Sequence, residues 1–473
     1  MYFHSLSSLI IFLPIFFITY PLIKIKNIEL SNLFLLFFSL LFYSFDIPWF
    51  LIPLLISSIC DYFLSKELIE NKKFTNNKRI FYLCLSLLIN LGLLITFKYS
   101  SLISQTFFDL NKEKITTISG LDKIILPVGI SFYTFQTLSF VFDSYRKEIL
   151  KMPKFHNYLL YVAYFPQLVA GPILRPKDFF NRSSDPLLNN KSGDIKNGLN
   201  RICYGLFLKL CLADELARFN DIAFQSDFYS LSTIDAWTMS FGFGLQIYYD
   251  FSAYSHMAIG ISKIIGLPIK ENFNFPYSSL SCTKFWRKWH ISLSNWVSDY
   301  LYSFLNKKIP LILFGSIPLL LTWSIMGIWH GASWRFALWG LINGLLILIH
   351  RIFKNLNLTF FNFIKLPLLS WLITLFSIMS TWIYFRSTSW DQANNLYFKL
   401  FRFDNLDLGL RENYYLMVFI FAISTFIFGH LFKYKEITKI LRNDYFKIFS
   451  SAIALSLGLI FINSQRSFIY FQF

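Results

Sequence analysis

Long apolar runs separated by short charged linkers repeat from one end of this chain to the other. They fall around 7–23, 33–45, 47–64, 80–97, 124–142, 197–213, 236–261, 309–328, 333–349, 366–385, 414–432 and 448–464. A bilayer core takes ~20 apolar residues per helix. The pattern therefore predicts an all-α polytopic membrane protein of about eleven transmembrane helices, some of them broken or re-entrant. The first run lacks a basic leader and a small-residue cleavage site, and more spans follow at once. It reads as a span, not a cleavable signal. No internal repeat or soluble domain interrupts the series, so residues 1–473 read as one membrane-embedded domain.

Composition agrees: 55% of residues are hydrophobic, 20% aromatic and only 15% charged. A net charge of +17 raises the question of nucleic acid, but the basic residues cluster in the linkers between apolar runs. Lys/Arg-rich loops mark the cytoplasmic side, so the charge is read as topology, with membrane lipid as the partner and no nucleic acid. The linker 65–79, SKELIENKKFTNNKR, is the best cytoplasmic anchor. Alternation then makes Lys24 and Lys26, the 146–154 loop, 175–201 and 433–447 cytoplasmic. The 214–235 loop, with Asp214, Glu215, Asp221 and Asp227, falls outside, as do 387–412 and both termini. The five cysteines show no metal-ligand spacing, so they are read as small apolar side chains and no metal site is expected.

Ionisable groups at bilayer depth cost about 2.5–3.5 kcal/mol on insertion scales and are functional candidates by default. Three places qualify. In FPQLVAGPILRP, residues 165–176, two prolines and a glycine within eight residues cannot continue a regular helix. A re-entrant turn is expected, with Gln167 near its tip and Arg175 at its exit; a Pro-kinked helix is the alternative. In LQIYYDFSAYSHMAIG, residues 245–260, Gln246, Asp250 and Tyr254 share one helix face. That stripe must face polar partners, either a network locking helices together or a substrate.

The third place starts at FWRKWHISLSNWVSDYLY, residues 285–302. Phe285, Trp289, Trp296 and Tyr300 near one face, with Arg287 and Lys288 beside them, suggest a helix lying along the cytoplasmic interface. His290 within it reads, on its own, more as a surface group than as a catalyst. The place ends in MGIWHGASW, residues 326–334, where His330 follows Trp329 amid small residues that suggest a break between two helices. Such a histidine is either a core side chain satisfied by a neighbour or a base. A desolvated imidazole that stays neutral can accept a proton from a hydroxyl.

Taken together, WHGASW, FWRKWHISLSNW, QIYYDFSAYS, LPVGISFYTFQTLSFVFDSYR at 126–146, YFPQLVAGPI at 164–173 and TWIYFRS at 381–387 resemble the membrane-bound O-acyltransferase (MBOAT) superfamily. The similarity is to its bacterial branch that contains the alginate O-acetyltransferase membrane subunit, with teichoic acid D-alanyl transferase as a relative. The motifs cover about 120–390; residues 1–119 and 391–473 match only as peripheral membrane helices. The resemblance implies a bundle of helices, with re-entrant and interfacial helices, around a central funnel or tunnel. It implies His330 as catalytic base and His290 as the second histidine, positioning or polarising the donor. Asp250, Gln246, Tyr254, Trp329, Gln167 and Arg175 would line or support the channel. Two departures stand out: His256 occupies a position that is usually aspartate, and SFLNKK after Tyr302 replaces a longer Gly-rich basic loop.

The expected function is O-acetyl transfer onto hydroxyls of an exported polysaccharide or envelope glycan. The implied donor is acetyl-CoA or an acyl-carrier thioester, used as a substrate, with no bound cofactor. A periplasmic acetyltransferase or glycan-export partner and a location in the bacterial inner membrane are implied as well. D-alanyl or other acyl transfer is the near alternative. A small-solute transporter is a rival of a different class, weakened by the lack of paired broken helices in two halves; a non-catalytic scaffold is a third reading.

Overall fold

The computed structural model describes residues 3–5, 7–24, 28–71, 73–111, 125–183, 192–267, 269–309, 316–356, 366–403, 405–431, 443–461 and 466–469. Lys26, and parts of the 175–201 and 433–447 linkers, lie outside the described residues. The chain is helical, without a strand among the described residues, and it forms two compact units. One comprises Met1–Ile202 and Met257–Lys270; the other comprises Cys203–His256 and Glu271–Phe473.

The first unit holds α1 (Leu13–Lys24), α2 (Ile28–Ser44), α3 (Leu51–Glu70), α4 (Asn76–Leu94), α5 (Ser100–Asn111), α6 (Ile130–Tyr145), α7 (Phe155–Ala163), α8 (Phe165–Leu168), α9 (Pro176–Ser183) and most of α10 (Ser192–Phe207). Helices α3, α4 and α6 are locked by a fully buried polar cluster. Asp61 accepts from Ser86 Oγ at 2.6 Å and Asn90 Nδ2 at 2.7 Å, while Asn90 Oδ1 accepts from Ser57 at 2.7 Å and Thr137 at 3.1 Å. Hydrocarbon offers no alternative partners, so such interhelical bonds fix register. The 165–176 segment is irregular: the short α8, then non-helical backbone to α9, whose first residue is Pro176. It is a broken turn and not a kinked helix. Phe165 anchors it, packing edge-on at 5.2 Å against Phe16 and 5.5 Å against Phe12. Gly129 serves the same turn. Its φ of +80° and the carbonyl of Leu168, 2.6 Å from where a Cβ would stand, leave no room for a side chain.

The second unit holds α11 (Asp214–Gln225), α13 (Cys282–Trp286), α14 (Ile291–Trp296), α15 (Ser303–Lys308), α16 (Ser316–His330), α17 (Trp334–Leu356), α18 (Pro367–Arg386), α19 (Trp390–Arg402), α20 (Glu412–Leu431) and α21 (Asp444–Ile460); α12 (Thr233–Ile265) is divided between the units. Helices α16 and α17 form a tight hairpin. A Cβ on Gly327 would collide with the Phe336 carbonyl, and one on Gly340 with that of Trp323. Small residues at both positions let the backbones approach, the usual device where helices pack without water.

Two expectations are corrected. Residues 285–302 are not one interfacial helix but α13 and α14 broken at His290, followed by a wider helical turn at Val297–Tyr302. Phe285, Trp289, Trp296 and Tyr300 are all buried. The 272–274 loop accompanies the break: Ile291 N donates to Asn272 O at 2.9 Å and Asn274 N to Lys288 O at 3.0 Å. By length and composition, five helices among the described residues qualify as spans: Pro48–Glu70, Asn76–Ser104, Trp334–Asn355, Pro367–Arg386 and Glu412–Leu431. The shorter Ser8–Ile23 and Glu29–Ser44 are apolar too. In the run 309–328 the described helix is Ser316–His330. SFLNKK, expected as a loop, is helix α15.

Candidate active site

His330 is the last residue of α16, and the turn at Gly331–Ser333 reverses the chain into α17. Its ring is 4% exposed and stands in an aromatic box. Trp329 lies 4.9 Å away at 69°, Trp339 5.2 Å away at 89° and Phe385 5.5 Å away at 64°. A Cβ at Gly331 would run into the Phe336 ring, so glycine there lets Phe336 close the box. Edge-to-face contacts hold ring planes in fixed orientation. The imidazole is positioned by shape, at a break between two helices, as the sequence indicated.

His290 is also buried, at 2% exposure, which corrects its reading as a surface group. Its backbone is left-handed, with φ 43° and ψ 56°, a conformation that costs a non-glycine residue roughly 1–3 kcal/mol and clusters at functional sites. Nδ1 meets Asn272 Oδ1 at 3.2 Å, and the same oxygen accepts from Ser292 N at 3.2 Å and Ser292 Oγ at 2.9 Å. Asn272 Nδ2 donates to Ser255 Oγ at 3.3 Å, which assigns Oδ1 as the acceptor. The proton of a neutral His290 therefore sits on Nδ1, and Nε2 carries the lone pair. Burial pushes the imidazole pKa down to about 3, keeping the ring neutral at physiological pH. Asn272 was not singled out in the sequence. An asparagine eighteen residues before the histidine gives no periodic signal; only the fold brings the two together.

The rings belong to one aromatic wall. His290 packs edge-on to Phe251 at 4.6 Å, Phe251 to Phe273 at 5.1 Å and Phe273 to Trp289 at 5.2 Å. Trp289 meets Trp382 at 5.2 Å, and Trp382 stacks at 5.7 Å on Trp339, the neighbour of His330.

The polar stripe of α12 is engaged in a network. Gln246 Oε1 accepts from Asn220 Nδ2 at 2.6 Å, and Asn220 in turn accepts from Tyr414. Asp250 pairs with Lys209 Nζ at 2.9 Å and accepts from Ile469 N at 2.8 Å; Lys209 also pairs with Asp214 at 2.9 Å. All three charged side chains are at most 4% exposed. Tyr254 packs on Phe468 at 5.4 Å. Of the two readings of this stripe, helix locking is the one these contacts express. His256, just beyond it, meets Tyr204 edge-on at 4.8 Å. Gln167, 2% exposed, and Arg175, whose carbonyl caps α9, belong to the first unit.

The model of the membrane-bound O-acyltransferase family matches residues 90–390, more than half of the chain. The peptidoglycan O-acetyltransferase of Helicobacter pylori is 31% identical over 480 residues, covering 89% of this chain and 88% of that protein. The probable alginate O-acetylase AlgI of Azotobacter vinelandii is 35% identical over 336 residues, 69% of this chain and 64% of its own length. The teichoic acid D-alanyltransferase of Bacillus subtilis is 25% identical over 251 residues, half of this chain and 61% of that protein.

Proposed function

Because this chain belongs to the membrane-bound O-acyltransferase family, we propose that it transfers acetyl from a cytosolic thioester to hydroxyls of an envelope glycan, with His330 as general base. It is a multi-pass membrane acyltransferase; acetyl is favoured because the peptidoglycan and alginate relatives are named as O-acetylating proteins and are the more similar ones. The single observation that carries the site is the imidazole of His330, buried and oriented by three aromatic rings at a helix break. There it takes the proton of the acceptor hydroxyl as that oxygen attacks the thioester carbonyl. The C–S bond breaks, the acetyl oxygen ester forms, and the thiolate leaves to recover a proton from the imidazolium.

His290 takes the donor side. With its proton committed to Asn272, Nε2 is an acceptor, which supports positioning the donor over polarising its carbonyl. The donor is acetyl-CoA or an acyl-carrier thioester, and a central passage through the bundle brings donor and acceptor to His330. The protein sits in the bacterial inner membrane with both termini outside, and a periplasmic acetyltransferase or glycan-export protein completes or receives the transfer.

The test uses membranes carrying the full chain and labelled acetyl-CoA. Base-labile label on envelope glycan, absent with His330→Ala at equal abundance, supports the reading. Equal labelling in both removes His330 as the base, and label entering only from a D-alanyl carrier replaces acetyl by D-alanyl.

A further inference from the structure

Residues 466–469 lie beyond α21, and Phe468 and Ile469 are each 1% exposed. Buried irregular backbone survives inside a membrane protein only where the protein itself satisfies it. The Lys209 triad does so. Asp214 turns Oδ1 to Lys209 Nζ at 2.9 Å and Oδ2 to Arg466 N at 3.3 Å. Asp250 turns Oδ1 to Lys209 Nζ at 2.9 Å and Oδ2 to Ile469 N at 2.8 Å. Between them, Lys209 Nζ also donates to Ser467 O at 3.5 Å. Each carboxylate thus gives one oxygen to the lysine and the other to the segment, while the Arg466 side chain anchors its start on Asp221. Lys209 itself stands on the wider helical turn Leu208–Ala213, an irregularity that recurs at functional sites.

What this clamp delivers is the ring of Phe468. Helix α12 takes the segment residue by residue: Asp250 holds Ile469, and the next residue, Phe251, packs on Phe468 at 5.7 Å and 67°. Tyr254, one turn further on, meets the same ring at 5.4 Å. Phe251 in turn stands edge-on to His290 at 4.6 Å and 84°. The left-handed backbone of His290 persists only where its surroundings over-determine it. Asn272 holds Nδ1, Phe251 fixes the plane of the ring by its edge contact, and Phe468 braces Phe251. Apolar packing alone would bury Phe468 too. A hydrogen-bonded ionic clamp, costly to bury, additionally fixes where along α12 the ring falls.

We propose that segment 466–469 is a positioning element for the donor-side histidine: the Asp214–Lys209–Asp250 triad seats Phe468 against Phe251, and Phe251 holds the plane of the His290 ring. Phe468 is then a positioning residue that touches no substrate and acts through His290. This rests on the acyltransferase reading above, in which His290 positions the donor.

The test pairs transfer kinetics with a readout of His290 itself, on wild type, Phe468→Ala and Phe468→Leu. Leucine keeps most of the apolar volume, so it preserves the fold where alanine unsettles it. In membranes carrying the full chain, both substitutions should raise the KM for acetyl-CoA, alanine by about tenfold or more, with kcat changed less. A merely structural role would lower the amount of active protein, and so the maximal rate, at an unchanged KM. Thermal midpoints of the purified full chain, from neutral pH down to about 3, give the second readout. Below 6.5 the unfolded ring takes up a proton that the folded ring takes only at about 3, so stability falls as pH drops. The share of that fall removed by His290→Asn should shrink in both Phe468 variants, whose loosened ring meets water and protonates at a higher pH. An unaltered share in both variants overturns the inference, and so does an unchanged KM where transfer is intact. Either result leaves the acyltransferase reading standing as long as wild type transfers acetyl. A wild type that transfers none, with the His290 share still dependent on Phe468, does the reverse.

Discussion

Asp250 and His330 are both buried ionisable residues in the same unit, yet they are held by opposite means. Asp250 is fixed by charge: Lys209 lies between it and Asp214, and a backbone N–H from Ile469 meets its second oxygen. His330 is fixed by shape, in a box of Trp329, Trp339 and Phe385. A carboxylate engaged in an ion pair is a good clamp. An imidazole oriented by ring edges is held in place without an opposite charge beside it among the contacts described. Burial alone therefore does not mark a catalyst; the nature of the neighbours does.

The comparison breaks most severely at Lys209. Lys209→Met leaves two buried carboxylates without their cation, and removing one member of a buried ionic group costs about 3–5 kcal/mol. Thermal unfolding of purified protein should show that loss; an unchanged midpoint would mean the clamp bears no weight. Next comes Gly340→Val, which drives a side chain into the Trp323 carbonyl and should cost roughly 1–3 kcal/mol by overpacking. Because the α16–α17 hairpin carries His330, acyl transfer should fall with it, and a variant with full rate and stability would deny that link. Asn272→Ala should cost about 1–2 kcal/mol in thermal unfolding, as it strips partners from the buried His290 and the half-buried Ser292.

The last effect is with pH and is spread over several units. The unfolded His290 ring protonates near 6.5 and the folded one only at about 3, so between these values the unfolded chain binds the extra proton. Stability should fall as pH drops through that window, by at most about 1.4 kcal/mol per unit. His290→Asn should flatten the dependence; an unaltered slope contradicts the assignment.

The helical membrane class, the break at His330 and the irregular 165–176 turn were legible because apolar periodicity and proline–glycine spacing act locally. The stripe Gln246–Asp250–Tyr254 was legible as a buried face, but its partners, Lys209, Asn220 and Ile469, are distant in sequence. His290 was misjudged for a related reason: the helical period across 285–302 was real, while the pairing of Asn272 with Ile291 and Ser292 that interrupts it is tertiary. Asp61 gave no motif at all and is explained only by the helices that meet it.

The most direct test of the account is the initial rate of labelled acetyl transfer by purified His330→Ala, at wild-type thermal stability. Loss of the base should slow transfer by about 10²–10⁴-fold with the fold intact. A rate equal to wild type would contradict the central claim that this imidazole receives the acceptor's proton.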